Sequence, residues 1–116
     1  VESYMLHHGD KFTHRFDANT YLILLVGWLN YDLLKDSCAD SISEMFGRCL
    51  NQSFLVFSID SDVCFYPEEQ KKLSEELRLA GVESRLVEVK SQKGHDAFLL
   101  EPELFRGSIK SFLGGE

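Results

Sequence analysis

A chain of 116 residues, 44% hydrophobic and 27% charged with nine Phe, has the length of one small domain and enough apolar mass to pack a core, which excludes a disordered tail. Its formal net charge of -7 repels phosphate backbones, and no Lys/Arg cluster offsets this locally. Lys71 and Lys72 lie among Glu68, Glu69, Glu75 and Glu76 as a solvated helix face, so no nucleic-acid partner is expected.

The first 18 residues are mixed and polar. His7, His8 and His14 lie near Asp10 and Asp17, but no ligand spacing is fixed; His7-His8-Gly9-Asp10 reads as a helix end stopped by Gly9, and no metal is expected. Val1-Glu2-Ser3-Tyr4 has neither the basic start nor the apolar stretch of a signal peptide, and the absence of Met at its head reads as processing or truncation. Residues 20–34 form a run too long for a typical strand and apolar nearly all round. That predicts a buried helix capped by Asn19 or Asp17, with a strand over 21–26 as the lesser alternative. Its longest apolar stretch, Tyr21 to Leu29, is broken by Gly27 and too short for a bilayer, so no membrane partner is expected. Residues 41–50 predict a second, shorter helix with Ser41 as N-cap and Glu44 three residues on. The three cysteines, Cys38, Cys49 and Cys64, are widely spaced with no CxxC pair; they read as reduced, mostly buried thiols in a cytoplasmic setting.

From residue 51 the pattern changes. Phe54-Leu55-Val56-Phe57-Ser58-Ile59 is a nearly continuous apolar run, the mark of a strand buried on both faces in a parallel sheet. Pro67 opens a helix with Glu68 and Glu69 in its first turn; Leu73, Leu77 and Ala80 form its inner stripe and Gly81 ends it. Val82 to Val89 is a second strand, less buried because of Glu83, Arg85 and Glu88. Glu101 to Leu113 is a closing helix, with Pro102 near its start and Gly114-Gly115 at its end. The chain therefore divides into a helical segment, 1–50, and a β-α-β-loop-α segment, 51–116. Two parallel strands leave too many backbone groups unpaired to make a sheet alone, so the expectation is an α/β fold completed by strands outside this sequence.

In open parallel sheets, functional groups gather in the loops after the strands' carboxyl ends. Here those loops read Asp60-Ser61-Asp62-Val63-Cys64-Phe65 and Lys90-Ser91-Gln92-Lys93-Gly94-His95-Asp96, and a right-handed crossover brings them to one edge. An Asp paired with a His can orient the imidazole and leave its other nitrogen free to take a proton. The plain alternative is a capping Asp and a surface His after a Gly turn.

Ser58-Ile59-Asp60-Ser61-Asp62-Val63-Cys64-Phe65-Tyr66-Pro67 with Gly94-His95-Asp96-Ala97-Phe98-Leu99 resembles the homoserine O-acetyltransferase family, as do Val1-Glu2-Ser3-Tyr4, Gly9-Asp10-Lys11-Phe12 and Arg15-Phe16-Asp17-Ala18-Asn19. The resemblance covers essentially the whole chain. It implies the C-terminal part of an α/β-hydrolase fold, its last two parallel strands with flanking helices, preceded by helices ending a lid and returning to the core. It implies Asp62 as the acid and His95 as the base of a Ser-His-Asp triad, with Asp96 contacting the substrate's amino group. Acetyl-CoA and L-homoserine are the implied substrates of a ping-pong transfer, with no bound cofactor and no assigned cofactor-binding residue. A homodimer is implied for the intact protein. Val63, Cys64 and Tyr66 depart from the family's usual residues and would alter a pocket wall. No nucleophile elbow occurs in these residues, so the serine is expected on an upstream portion or a second chain, and the chain alone is expected to be inactive. A succinyl-transferring or serine-acylating relative, a plain esterase, and an inactive fragment serving as an interaction module are the alternatives.

Overall fold

The computed structural model describes residues 1–114. They form two compact units, Val1–Ser37 and a second from Cys38 onward.

In the first unit, α1 (Glu2–Thr13), α2 (Ala18–Asn30) and α3 (Leu33–Ser37) are all helical; α1 forms from a mixed, polar stretch without a side-chain cap, whereas Asp17 and Asp32 cap the other two. α1 runs straight through Gly9 to Thr13, with His14 at its C-cap, so Gly9 is not the stop. A single mid-helix Gly costs only about 1 kcal/mol, and the flanking residues outweigh it. Asp17 caps α2, accepting from the Thr20 amide at 2.8 Å. The helix expected over 20–34 is split in two: Tyr31 turns to an extended conformation, and Asp32 restarts the chain by accepting from the Leu34 and Lys35 amides at 3.1 Å. The expected burial of α2 is not found. None of its residues is buried, and Ile23 and Trp28 are 71% and 73% exposed. Tyr21 meets Phe12 of α1 edge-on, with ring centroids 6.2 Å apart, but this contact encloses no side chain of α2. No helix among the described residues is long and apolar enough to cross a membrane.

The second unit is a βαβ unit with helices on both faces. β1 (Ser53–Ile59) and β2 (Glu83–Val89) pair in parallel from Ser53 opposite Glu83 to Ile59 opposite Val89, with α5 (Pro67–Leu79) between them in the chain. Alternation along β1 divides the core in two. Phe54 and Val56 pack with Leu77, Ala80, Val82 and Leu86 on the α5 face, where Phe46 and Cys49 also lie. Phe57 and Ile59 pack with Val87, Val89, Ala97 and Phe105 on the other, beneath α6 (Ala97–Leu100) and α7 (Glu103–Phe112).

Residues 38–50, grouped by sequence with the first helices, thus belong to the second unit. There α4 (Ile42–Gly47) buries Met45, and Ser41 caps it at 3.1 Å from the Glu44 amide. Glu44 reaches back to the amide of Asp40 at 2.9 Å. The inner stripe of α5 is Ser74 and Leu77; Leu73 is 38% exposed, while Ser74 lies 2.9 Å from Ser84 on β2, hydroxyl to hydroxyl. Gly81, at φ +81°, closes α5: its amide donates to Arg78 and that of Val82 to Leu77, a left-handed stop that favours glycine. The closing helix begins at Glu103 with Pro102 at its cap position, and a short helix, α6, precedes it. Gly114 is described and Gly115 lies outside the described residues. The thiols are free but not mostly buried: Cys38 and Cys64 sit in exposed links, and only Cys49 is half-buried.

Candidate functional site

The two loops after β1 and β2 meet at one edge of the sheet, as parallel pairing demands. The Asp60 amide donates to the carbonyl of Val89 at 3.0 Å, and the Asp60 carboxylate accepts from the Ser91 amide at 3.0 Å. Asp60 is therefore spent on joining the loops. Asp62, two residues on, turns inward and is 5% exposed.

Its two oxygens have separate duties. Oδ1 accepts from the amides of Cys64 and Phe65 at 2.8 and 3.0 Å, folding the loop around the carboxylate. Oδ2 lies 2.8 Å from Nδ1 of His95. Burial pushes the Asp62 carboxyl up, but the Phe65 amide, the His95 imidazole and the Cys64 amide together outweigh it, and the net displacement is below the ordinary value. The group is thus an anion at neutral pH and can only accept. Nδ1 must then carry the proton, which in a neutral imidazole leaves the lone pair on Nε2. Nε2 makes no hydrogen bond among the described residues.

His95 stands on a 3₁₀ turn, Gly94–Asp96, and its side chain is 40% exposed. Phe65 and Phe98 flank the ring, with centroids 4.9 and 5.5 Å away. A cavity of about 470 Å³ opens beside it, walled mainly by Phe57, Ile59, Phe65, Phe98 and Phe105, with Asp62 and Gln70 among its polar groups. An apolar wall next to a free imidazole nitrogen suits a substrate that brings an apolar or neutral reacting group out of water.

Of the three residues singled out by sequence, Asp62 and His95 are brought together across 33 positions of chain. Asp96 follows at the N-cap position of α6; it is exposed, makes no capping bond with its side chain, and does not line the cavity. Sequence reasoning missed the aromatic pair around the imidazole and the serine hydroxyls that tie the loops. An Asp two and three positions ahead of the amides it accepts is a local signal that marks Asp62 out. Ser61 and Ser91 carry no comparable signal. Among the described residues, no cluster of three or more His, Cys, Asp or Glu could hold a metal; near the chain start His14 meets only Asp10, at 3.6 Å.

Fold and site define a class: an α/β protein that presents a carboxylate-oriented imidazole beside an apolar cavity, at the carboxyl edge of parallel strands. No protein-family model matches the chain. Individual proteins do. The chain is 40% identical over 97% of its length to a homoserine O-acetyltransferase of Methanococcus vannielii, covering 22% of that protein. It is 41% identical over the same share to one from Methanosarcina acetivorans, covering 20% of it. It is also 37% identical over 97% of its length to a homoserine O-succinyltransferase of Neisseria meningitidis, covering 29%. Identity at this level over nearly the whole chain makes it a homologue of the homoserine O-acetyltransferases, corresponding to a C-terminal portion of them. The chain spans about 20–30% of the length of the curated relatives it matches.

Proposed function

We propose that this chain supplies the acid and the histidine of a Ser-His-Asp relay in a homoserine O-acyltransferase, with the serine on residues outside this sequence. The observation that carries the reading is the 2.8 Å bond from the buried Asp62 carboxylate to Nδ1 of His95, which leaves Nε2 free beside the cavity. The fold in this reading is the C-terminal end of an α/β-hydrolase fold. A parallel βαβ pair with the acid after one strand and the histidine after the next supports it, since such proteins order their triad serine, acid, histidine.

In the proposed reaction, Nε2 of His95 takes the proton of the serine hydroxyl as that oxygen attacks the thioester carbonyl of acetyl-CoA. Asp62 steadies the imidazolium that forms, and the proton passes on to the leaving thiolate of CoA. In the second half, His95 takes the proton of the homoserine hydroxyl, whose oxygen attacks the acyl-serine. The proton returns to the serine oxygen as O-acetylhomoserine departs. Proton transfer and nucleophilic attack account for every bond, so no resident cofactor is needed. Asp96, with its carboxylate not committed to a cap, is the proposed partner of the acceptor's ammonium group. The exposed apolar α2 and the two-stranded sheet support a setting in which further chain, or a second copy, covers them, the first helices being the end of a lid. Soluble small substrates fit a cytoplasmic enzyme.

The test is kinetic, on an enzyme completed by a serine-bearing N-terminal portion. Acetyl-CoA alone should give one equivalent of CoA, and homoserine should then drive turnover. Hydrolysis without an acceptor would point to an esterase, and preference for succinyl-CoA to the succinyl-transferring branch. Asp96→Asn removes a charge-assisted bond of about 1.5–3 kcal/mol, so it should slow the homoserine step roughly ten- to a hundredfold and spare the first. Equal slowing of both steps would end the proposed role of Asp96.

A further inference from the structure

Asp62 is fixed by its own loop, through two amides on one oxygen. His95 has no such anchor, because its side chain is 40% exposed and its turn begins at Gly94, at φ +60°, where the backbone has unusual freedom. Something must hold this turn to the sheet edge for the imidazole to meet the carboxylate.

A single hydroxyl spans it. Ser61 Oγ donates to the carbonyl of Ser91 at 2.5 Å and accepts from the amide of Gly94 at 3.0 Å. Both ends of the 91–94 segment are thereby pinned to one atom. Ser61 precedes Asp62 and Gly94 precedes His95, so the Ser61–Gly94 and Asp62–His95 bonds are consecutive rungs, each joining positions 33 apart. The far side of the segment is tied as well. Ser91, 7% exposed, accepts from the Lys93 amide at 3.0 Å and donates its hydroxyl to Glu101 at 2.5 Å.

We propose that Ser61 is a positioning residue for His95, its hydroxyl setting the register between the two loops so that Nδ1 falls on Asp62. Ser61 touches no reacting atom. Its contribution is geometric, and a misplacement of about 1 Å in such a group can cost on the order of a hundredfold in rate. The kinetic part of this inference rests on the acyl-transfer reading, whereas the structural part does not.

The experiment compares Ser61→Ala and Ser61→Thr in the intact protein that contains this chain, with two readouts. The first is the proton NMR resonance of the His95 Nδ1–H, downfield when that proton is held by the carboxylate. The second is the rate of each half-reaction. Ser61→Ala should broaden or abolish the resonance and slow both half-reactions by roughly ten- to a hundredfold with KM little changed. Ser61→Thr, which keeps the hydroxyl, should restore most of both. An Ala variant with an unaltered resonance and rates within about twofold overturns the proposal. An unaltered protein with the resonance present and no acyl transfer sinks the enzymatic reading alone. Should the Ala variant fail to fold, hydrogen exchange in the unaltered protein decides: the Gly94 amide must be protected, and exchange as fast as an open loop's overturns the proposal.

Discussion

The two units spend their apolar residues differently. In α2, Tyr21 to Leu29 is nearly all apolar, yet no residue is buried. The second unit has a more mixed sequence but buries Val56, Ile59, Leu77, Val82, Val89 and Phe105, together with the polar Ser58, Asp62, Ser74 and Ser91. Hydrophobicity thus states what a segment could bury, whereas burial needs a partner surface. The buried polar groups are the more informative ones, because each must have found a hydrogen-bond partner to be tolerated. Asp62 and Ser91 found theirs at the loop junction, and Ser74 found Ser84.

This contrast can be broken by mutation. The largest stability loss is expected for Leu77→Ala, which empties the only wholly enclosed large side chain among the described residues and should cost about 2–5 kcal/mol in denaturant titrations. A smaller loss is expected on acidification. The folded Asp62 titrates below its ordinary value, so its stabilisation is complete above that value and is lost as pH falls through the lowered one. Asp62→Asn should remove this acid-limb dependence when melting is followed between neutral pH and about pH 2. The smallest effect is expected in the first unit: Ile23→Ala should change the chain's stability by no more than about 0.5 kcal/mol. A loss above about 2 kcal/mol would show that another surface covers α2 in solution, as in a self-associated chain.

The strands and α5 were legible in the sequence because their patterns are local: an apolar run for β1, Pro67 to start the helix and Gly81 to stop it. The exposure of α2 was not legible, since an apolar run states what a helix could bury and not whether a surface meets it. Gly9 is a weak stop because a single glycine inside a helix costs little against its neighbours, and the break at Tyr31-Asp32 leaves no mark in the apolar pattern of residues 20–34, because it rests on one Asp side chain accepting from the Leu34 and Lys35 amides. At the site, Asp62 and His95 could be paired from strand order and from the resemblance, and the structure sets them in hydrogen-bond contact. The serine network was not legible, because hydroxyls acting across 30 or more positions leave no periodic trace.

The two acids of the first loop offer the most direct test of the central claim. Asp60 ties the loops by accepting from the Ser91 amide, while Asp62 holds the imidazole. In the completed enzyme, Asp62→Asn should lower kcat on the order of 10⁴-fold, since the amide can no longer enforce the tautomer that frees Nε2. Asp60→Asn keeps an oxygen for the Ser91 amide and should cost about tenfold or less. Parallel kcat measurements on the two variants would bear out the account if the losses separate in that order. A reversed order, or a loss below about tenfold for Asp62→Asn, would contradict it.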